Sequence, residues 1–194
     1  NIKKKKVYKN FLSFFFFFFD IFLNAKEKLR KLVKFTSNVM YDPIFLKYHL
    51  SNEHPESPDR VKYIYKELIN NNFDNVILNF EKKNDLTTWV KQIHSNEHIR
   101  LIEQNYPLPH KVAFSAVNAA LSGLDKIFNK KVESIFCPVR PPGHHALNTG
   151  REEGFCYYNT IAIAAKYAQI KYKIKKILII DWDYHHGNST EHMF

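Results

Sequence analysis

Beyond residue 37, apolar residues recur at helical spacing in four places and gather into two short strand-like runs. Val61, Ile64, Tyr65, Leu68 and Ile69 share one helical face. Ser57-Pro58 ahead of them supplies an N-cap residue and a proline at the first helical position, where the missing N–H is harmless. Asn70-Asn71-Asn72 is expected to stop that helix. A second helix is expected from Ser95 through Ile99 and Leu101-Ile102. A third, over about 113–128, carries Val117, Ala120, Leu121, Leu124 and Phe128 on one face, and an Ala-rich helix occupies 160–170. Residues 132–139 suit a strand. So do residues 176–181, where Ile177-Leu178-Ile179-Ile180 is the continuous apolar run of a parallel strand covered on both faces. Strand, helix, strand in this order predicts a right-handed crossover in an α/β sheet, with no internal repeat.

Composition narrows the class without changing these elements. The 194 residues suggest one domain or part of one; 5 glycines, 8 prolines and 2 cysteines exclude collagen-like and disulfide-framework chains, and 45% hydrophobic content suffices for a core. Two thiols without a spacing pattern, Cys137 and Cys156, fit a reducing compartment.

The net charge of +10 is unevenly placed. Residues 1–36 hold ten Lys/Arg against two Asp/Glu, and nine of the 17 Phe, leaving 19 against 17 for residues 37–194. A nearly neutral body gives no basic face for a polyanion, so direct nucleic-acid binding is not expected. The leader places six consecutive Phe, Phe14 to Phe19, after a lysine-rich stretch and is interrupted at Asp20. That run falls short of the roughly 20 apolar residues that span a bilayer, so no membrane span is expected. The layout imitates a secretory signal; we read residues 1–36 as a low-complexity basic, Phe-rich leader and residues 37–194 as the domain.

The chemistry concentrates at the end of the second strand. Asp181-Trp182-Asp183-Tyr184-His185-His186-Gly187-Asn188 follows it directly, at the carboxyl end where open α/β sheets hold ligands. In an extended chain Asp181, Asp183 and His185 share one face, with Trp182 and Tyr184 opposite. A carboxylate and an imidazole two residues apart suit Zn²⁺, with Asp181 behind them as an acceptor. An isolated Asp-x-His is more often a solvated turn. Here a second cluster, Arg140-Pro141-Pro142-Gly143-His144-His145-Ala146, follows the preceding strand, so a βαβ unit would bring both clusters to one sheet edge. Asn188-Ser189-Thr190 matches a glycosylation acceptor, but it falls inside this motif and is read as accidental.

With these residues in place, the sequence resembles the zinc-dependent histone deacetylase family over about residues 39–194. The matching pieces are Tyr41-Asp42, His54-Pro55-Glu56 with Pro58-Asp59-Arg60, Ile93-His94-Ser95, the Ala-rich helix, the His144-His145 segment, Gly154-Phe155-Cys156-Tyr157 with Asn159, and the run from Asp181 to Asn188. Asn188, where class I members usually carry Asp, points to class II. The resemblance implies a three-layer α/β fold with a central parallel sheet, arginase/deacetylase-like and incomplete at the C-terminus.

The resemblance also implies roles. Asp183 and His185 would bind Zn²⁺. His145 would be the main general base and acid, with His144 an electrostatic partner, oriented by Asn188 and Asp181 respectively. Phe155 would wall a tunnel for acetyl-lysine, Gly154 would offer its carbonyl to the amide, and Arg60 would lie near an acetate-release channel. Asp181, with the carbonyls of Asp183 and His185, resembles a K⁺ site. The reaction would be hydrolysis of the acetyl amide of N6-acetyl-lysine in histones or other proteins, with corepressor proteins as further partners and the nucleus and/or cytoplasm as location. A third metal-binding Asp and an oxyanion-stabilising Tyr or His, expected beyond this motif, do not occur within the 194 residues, which alone are expected to be inactive. Relatives also carry a substrate-gripping loop where this chain has only Glu103 to Lys111. Two other readings stand: an acetylpolyamine amidohydrolase, which the short loop favours, and a non-catalytic deacetylase-like binding protein.

Overall fold

The computed structural model describes residues 12–15, 37–50, 54–71, 73, 77–78 and 80–194. The rest of the leader and Asn72, the last of the expected helix-stopping asparagines, lie outside the described residues. The strands are β1 (Leu12–Phe15), β2 (Ser37–Met40), β3 (Ile77–Leu78), β4 (Ser134–Phe136) and β5 (Ile177–Ile180). The helices are α1 (Asp59–Asn70), α2 (Leu86–Val90), α3 (Asn96–Asn105), α4 (Pro107–Phe128), α5 (Thr160–Tyr172) and α6 (Asn188–His192), with a 3-10 turn at Pro43–Leu46. All described strand pairings are parallel, the arrangement expected when helices make the connections.

The sheet differs from expectation in two ways. Among the described residues, β4 and β5 are not partners: β3-β2-β4 form one sheet, and β5 pairs with β1 from the Phe-rich leader, Leu12 opposite Ile177. Nor is β5 covered on both faces. Leu178 and Ile180 are 45% and 40% exposed while Ile177 and Ile179 are half-buried, the alternation of a strand packed on one face only.

Helix α4 is the centre of the core. Its 22 residues extend about 33 Å, and every residue from Ala116 to Leu124 is buried, so this helix is surrounded rather than amphipathic. It starts six residues before the sequence pattern suggests, because Pro107 and Pro109 stand in the first turn, where no intrahelical N–H is needed. The stretch read as a short loop from Glu103 to Lys111 is therefore two helices, α3 and α4, meeting at Tyr106. In α1, Ile69 stands on the wet side, 37% exposed, while Val61 and Leu68 are buried; Ser57 caps the turn by accepting from Asp59 N–H at 3.1 Å.

One carboxylate joins α4 to α5. Asp125 accepts from the Tyr167 hydroxyl at 2.7 Å, from Lys171 Nζ at 3.0 Å, and also from Tyr172 and Lys83. Burial alone would push its carboxyl up, but these four donors outweigh it and hold the group down to about 2.

Candidate active site

The loop after β4 is fixed from beneath by a buried ion pair. Arg140, 2% exposed, meets Glu56 through two bonds, Nε to Oε1 at 2.8 Å and Nη2 to Oε2 at 2.6 Å. Its Nη1 donates to the carbonyls of Phe45 (2.7 Å) and Tyr48 (2.5 Å) and its Nη2 also reaches the Glu56 carbonyl at 3.4 Å, so the fork spends its donors on five separate acceptors. That base presents His144 and His145 together, ring centroids 4.1 Å apart.

Each imidazole is held through Nδ1. His144 Nδ1 lies 2.8 Å from Asp181 Oδ2, and His145 Nδ1 lies 2.6 Å from Asn188 Oδ1. Oδ1 of an amide only accepts, so His145 donates from Nδ1 and keeps its lone pair on Nε2. The hydrogen bond from His144 holds the Asp181 carboxyl below the usual range, outweighing partial burial. His144 Nε2 is 3.9 Å from Asp183 Oδ2, which leaves this ring between two carboxylates.

Asp183 and His185 do converge, though not through an extended strand. Beyond Ile180 the chain turns twice: Asp181 Oδ1 accepts from Asp183 N–H at 3.1 Å, and Asp183 Oδ2 accepts from His185 N–H at 2.7 Å. These side-chain-to-backbone turns, not pleat alternation, bring the pair together. Trp182 and Tyr184 face outward, Tyr184 being 97% exposed. His185 Nδ1 stands 3.1 Å from Asp183 Oδ2. Two ligands at adjacent corners of a zinc tetrahedron are about 3.3 Å apart, given bonds of about 2.0–2.1 Å. One oxygen and one nitrogen at this spacing therefore suit two corners of such a site. No group of three His, Cys, Asp or Glu side chains that could hold a metal occurs among the described residues. Asp181, proposed for K⁺ as well, already has Oδ1 on Asp183 N–H and Oδ2 on His144.

The opposite wall is the tip of the loop between His145 and α5. Gly154 and Phe155 both have positive φ, +53° and +65°. Glycine adopts this freely; phenylalanine does so only under constraint, here the reciprocal Glu153–Cys156 backbone bonds and a bond from Phe155 N–H to Glu152. A Cβ on Gly154 would come within 2.5 Å of His145 Cδ2, so no side chain fits between tip and imidazole. Phe155 is 37% exposed and meets the His54 ring edge-on at 4.4 Å. The Gly154 carbonyl lies 3.4 Å from the Cys156 thiol. Arg60 is half-buried in the first turn of α1.

Sequence reasoning passed over the groups that brace these loops. Ser189, fully buried, donates to the Ala146 carbonyl at 2.5 Å and accepts from Asn159 Nδ2 at 3.1 Å, which ties α6 to the histidine turn; of the glycosylation-like triplet only Ser189 is buried, Asn188 being exposed with its side chain on His145. His54 and Glu56 were matched as motif residues but given no role. For Glu56 the signal was present: a Glu and the Arg140 that precedes Pro-Pro-Gly are each costly to bury singly and imply one another.

Comparisons with known proteins identify the family and the fold. Residues 106–194 match the family model of the histone deacetylase domain. Histone deacetylase 6 of Caenorhabditis elegans is 35% identical over 175 residues, covering 74% of this chain and 17% of the relative. The uncharacterized protein slr0245 of Synechocystis sp. is 34% identical over 172 residues, covering 79% of this chain and 55% of its own length. The crystal structure of the HDA15 HD domain superposes with a TM-score of 0.72 at 28% identity, covering 82% of this chain and 49% of that one. The chain belongs to the histone deacetylase family, with the arginase/deacetylase fold, and spans about half or less of each of these relatives.

Proposed function

We propose that this chain supplies the proton-transfer groups, the substrate wall and two metal ligands of a class II-like amidohydrolase acting on N6-acetyl-lysine in histones or other proteins. The observation that carries this reading is the tandem His144-His145, each ring held through Nδ1 by its own acceptor, beside the Asp183/His185 pair. His145, with its lone pair on Nε2, is the general base that takes a proton from the attacking water and returns it to the departing lysine amine. His144, between Asp181 and Asp183, steadies positive charge as it develops on the tandem. Asp181 and Asn188 are positioning residues that fix ring orientation. Phe155 and His54 line the wall for the lysine methylenes, Gly154 lends its carbonyl to the amide, and Arg60 serves acetate release. Zn²⁺, held by Asp183 and His185 with at least one further donor, would supply Lewis acidity for the acetyl carbonyl. A structural K⁺ at Asp181, interaction with corepressors, and residence in the nucleus and/or cytoplasm belong to the same proposal.

The test is turnover of an acetyl-lysine peptide and of an acetylated polyamine by the full-length protein, with and without chelator. Peptide hydrolysis lost on chelation and reduced about 10²–10⁴-fold in His145→Ala is expected. Turnover of the polyamine alone would redirect the substrate assignment. Retention of full activity by His145→Ala would remove the base.

A further inference from the structure

Behind the loop that carries Gly154 and Phe155 stand two histidines that the reaction does not use. His94 precedes α3 and His98 lies in its first turn; both are 1% exposed, and their rings stack at 4.8 Å with 21° between planes. Their four ring nitrogens are all engaged, and every partner lies in the segment 148–159. His94 Nε2 accepts from Asn159 N–H at 2.9 Å and its Nδ1 meets Asn148 Oδ1 at 3.2 Å. His98 Nδ1 accepts from Gly150 N–H at 3.0 Å and its Nε2 meets the Tyr157 carbonyl at 2.8 Å.

The order of these contacts matters. His94 joins residues 148 and 159, His98 joins 150 and 157, and reciprocal backbone bonds join 153 and 156. These are three nested rungs, closing inward to the tip at 154 and 155. Backbone N–H groups only donate, so Asn159 and Gly150 force the facing nitrogens to be acceptors. His94 must carry its proton on Nδ1 and His98 on Nε2, opposite tautomers, each ring neutral. Protonation of either would set one N–H against another.

We propose that His94 and His98 are positioning residues for the substrate wall, holding Phe155 and Gly154 at their distance from His145 through the two outer rungs of this loop. The inference rests on the amidohydrolase reading for its kinetic consequence, but not for its structural one. Burial, and for His94 the neighbouring His98, lowers both imidazoles, His94 to about 3, so the rungs persist across the physiological range. The groups facing the pair are the Asn148 amide, the Tyr158 ring and, further off, Glu153.

The test uses the full-length protein with His98→Phe, which keeps a ring but no rung, and His98→Gln, whose amide keeps a donor toward the Tyr157 carbonyl. Hydrogen exchange is read at 148–159 and, as reference, at 116–124 within α4. Exchange at 148–159 is expected to rise about tenfold or more in His98→Phe, less in His98→Gln, with 116–124 unchanged. For the acetyl-lysine peptide, KM should rise with the pH profile of kcat unmoved. Unchanged exchange at 148–159, an equal rise in α4 in both variants, or loosened exchange without a change in KM would overturn the proposal. If wild type turns over no acetyl-lysine substrate, the function reading fails and the exchange pattern alone decides whether the rungs hold the tip.

Discussion

The two halves of the site are built differently. His144 and His145 sit on a floor of buried groups: the Arg140–Glu56 pair, the Ser189 hydroxyl and the Asn159 amide are all within the protein. Asp183 and His185 have mainly local support, two turns in which a carboxylate accepts the N–H two residues on, and His185 is 70% exposed. The lesson is one of division. The groups that must keep a proton on a particular nitrogen are held by long-range contacts, whereas the pair suited to a cation is shaped by its own few residues.

That contrast can be broken most severely at its base. Arg140→Met leaves Glu56 charged and buried without its partner, and is expected to lower unfolding free energy by about 3–5 kcal/mol in denaturant titration. A loss below about 1 kcal/mol would show that the floor is not what holds the histidine turn. Acid should act next. His94 is depressed from 6.5 to about 3, so the unfolded chain binds its proton first as pH falls. Its contribution is complete above about pH 6.5 and drains away toward pH 3, with a slope approaching about 1.4 kcal/mol per pH unit. A slope from pH 6.5 to 4.5 that is shallower in His94→Phe than in wild type, the remainder coming from the likewise depressed His98 and His110, would isolate this group; equal slopes would count against it.

Ser189→Ala removes one buried hydroxyl, leaving the Ala146 carbonyl without this donor and Asn159 Nδ2 with Thr190 Oγ1 as its remaining acceptor, an expected cost of about 1–3 kcal/mol by the same titration. The smallest effect sharpens the contrast from the other side. Asp183→Asn should shift stability by no more than about 0.5 kcal/mol, while abolishing retention of zinc after dialysis of the full-length protein. A large stability loss there would mean that the cation half is braced as deeply as the imidazole half.

Helix periods and sequence motifs were legible because each is a local pattern: Val61 and Leu68, a helix beginning at Ser95, which proves to be its cap, and His144-His145 need only near neighbours to be recognised. Three things were not. The early start of α4 was hidden by Pro107 and Pro109, which break helices everywhere except in a first turn. The partner of β5 was hidden because a run of Ile and Leu fits either a covered strand or one with a single packed face. The bracing role of His94 and His98 was hidden, although His94 stood in a matched motif, since nothing in a one-dimensional pattern tells which loop 50 to 65 positions later will need their ring nitrogens.

The contact between Gly154 and the His145 ring has one more consequence. It is steric, and steric contact is blind to charge. Any side chain at position 154 would press on the same ring that Asn188 orients through Nδ1, so the loop tip can lie this near the imidazole only while position 154 stays glycine.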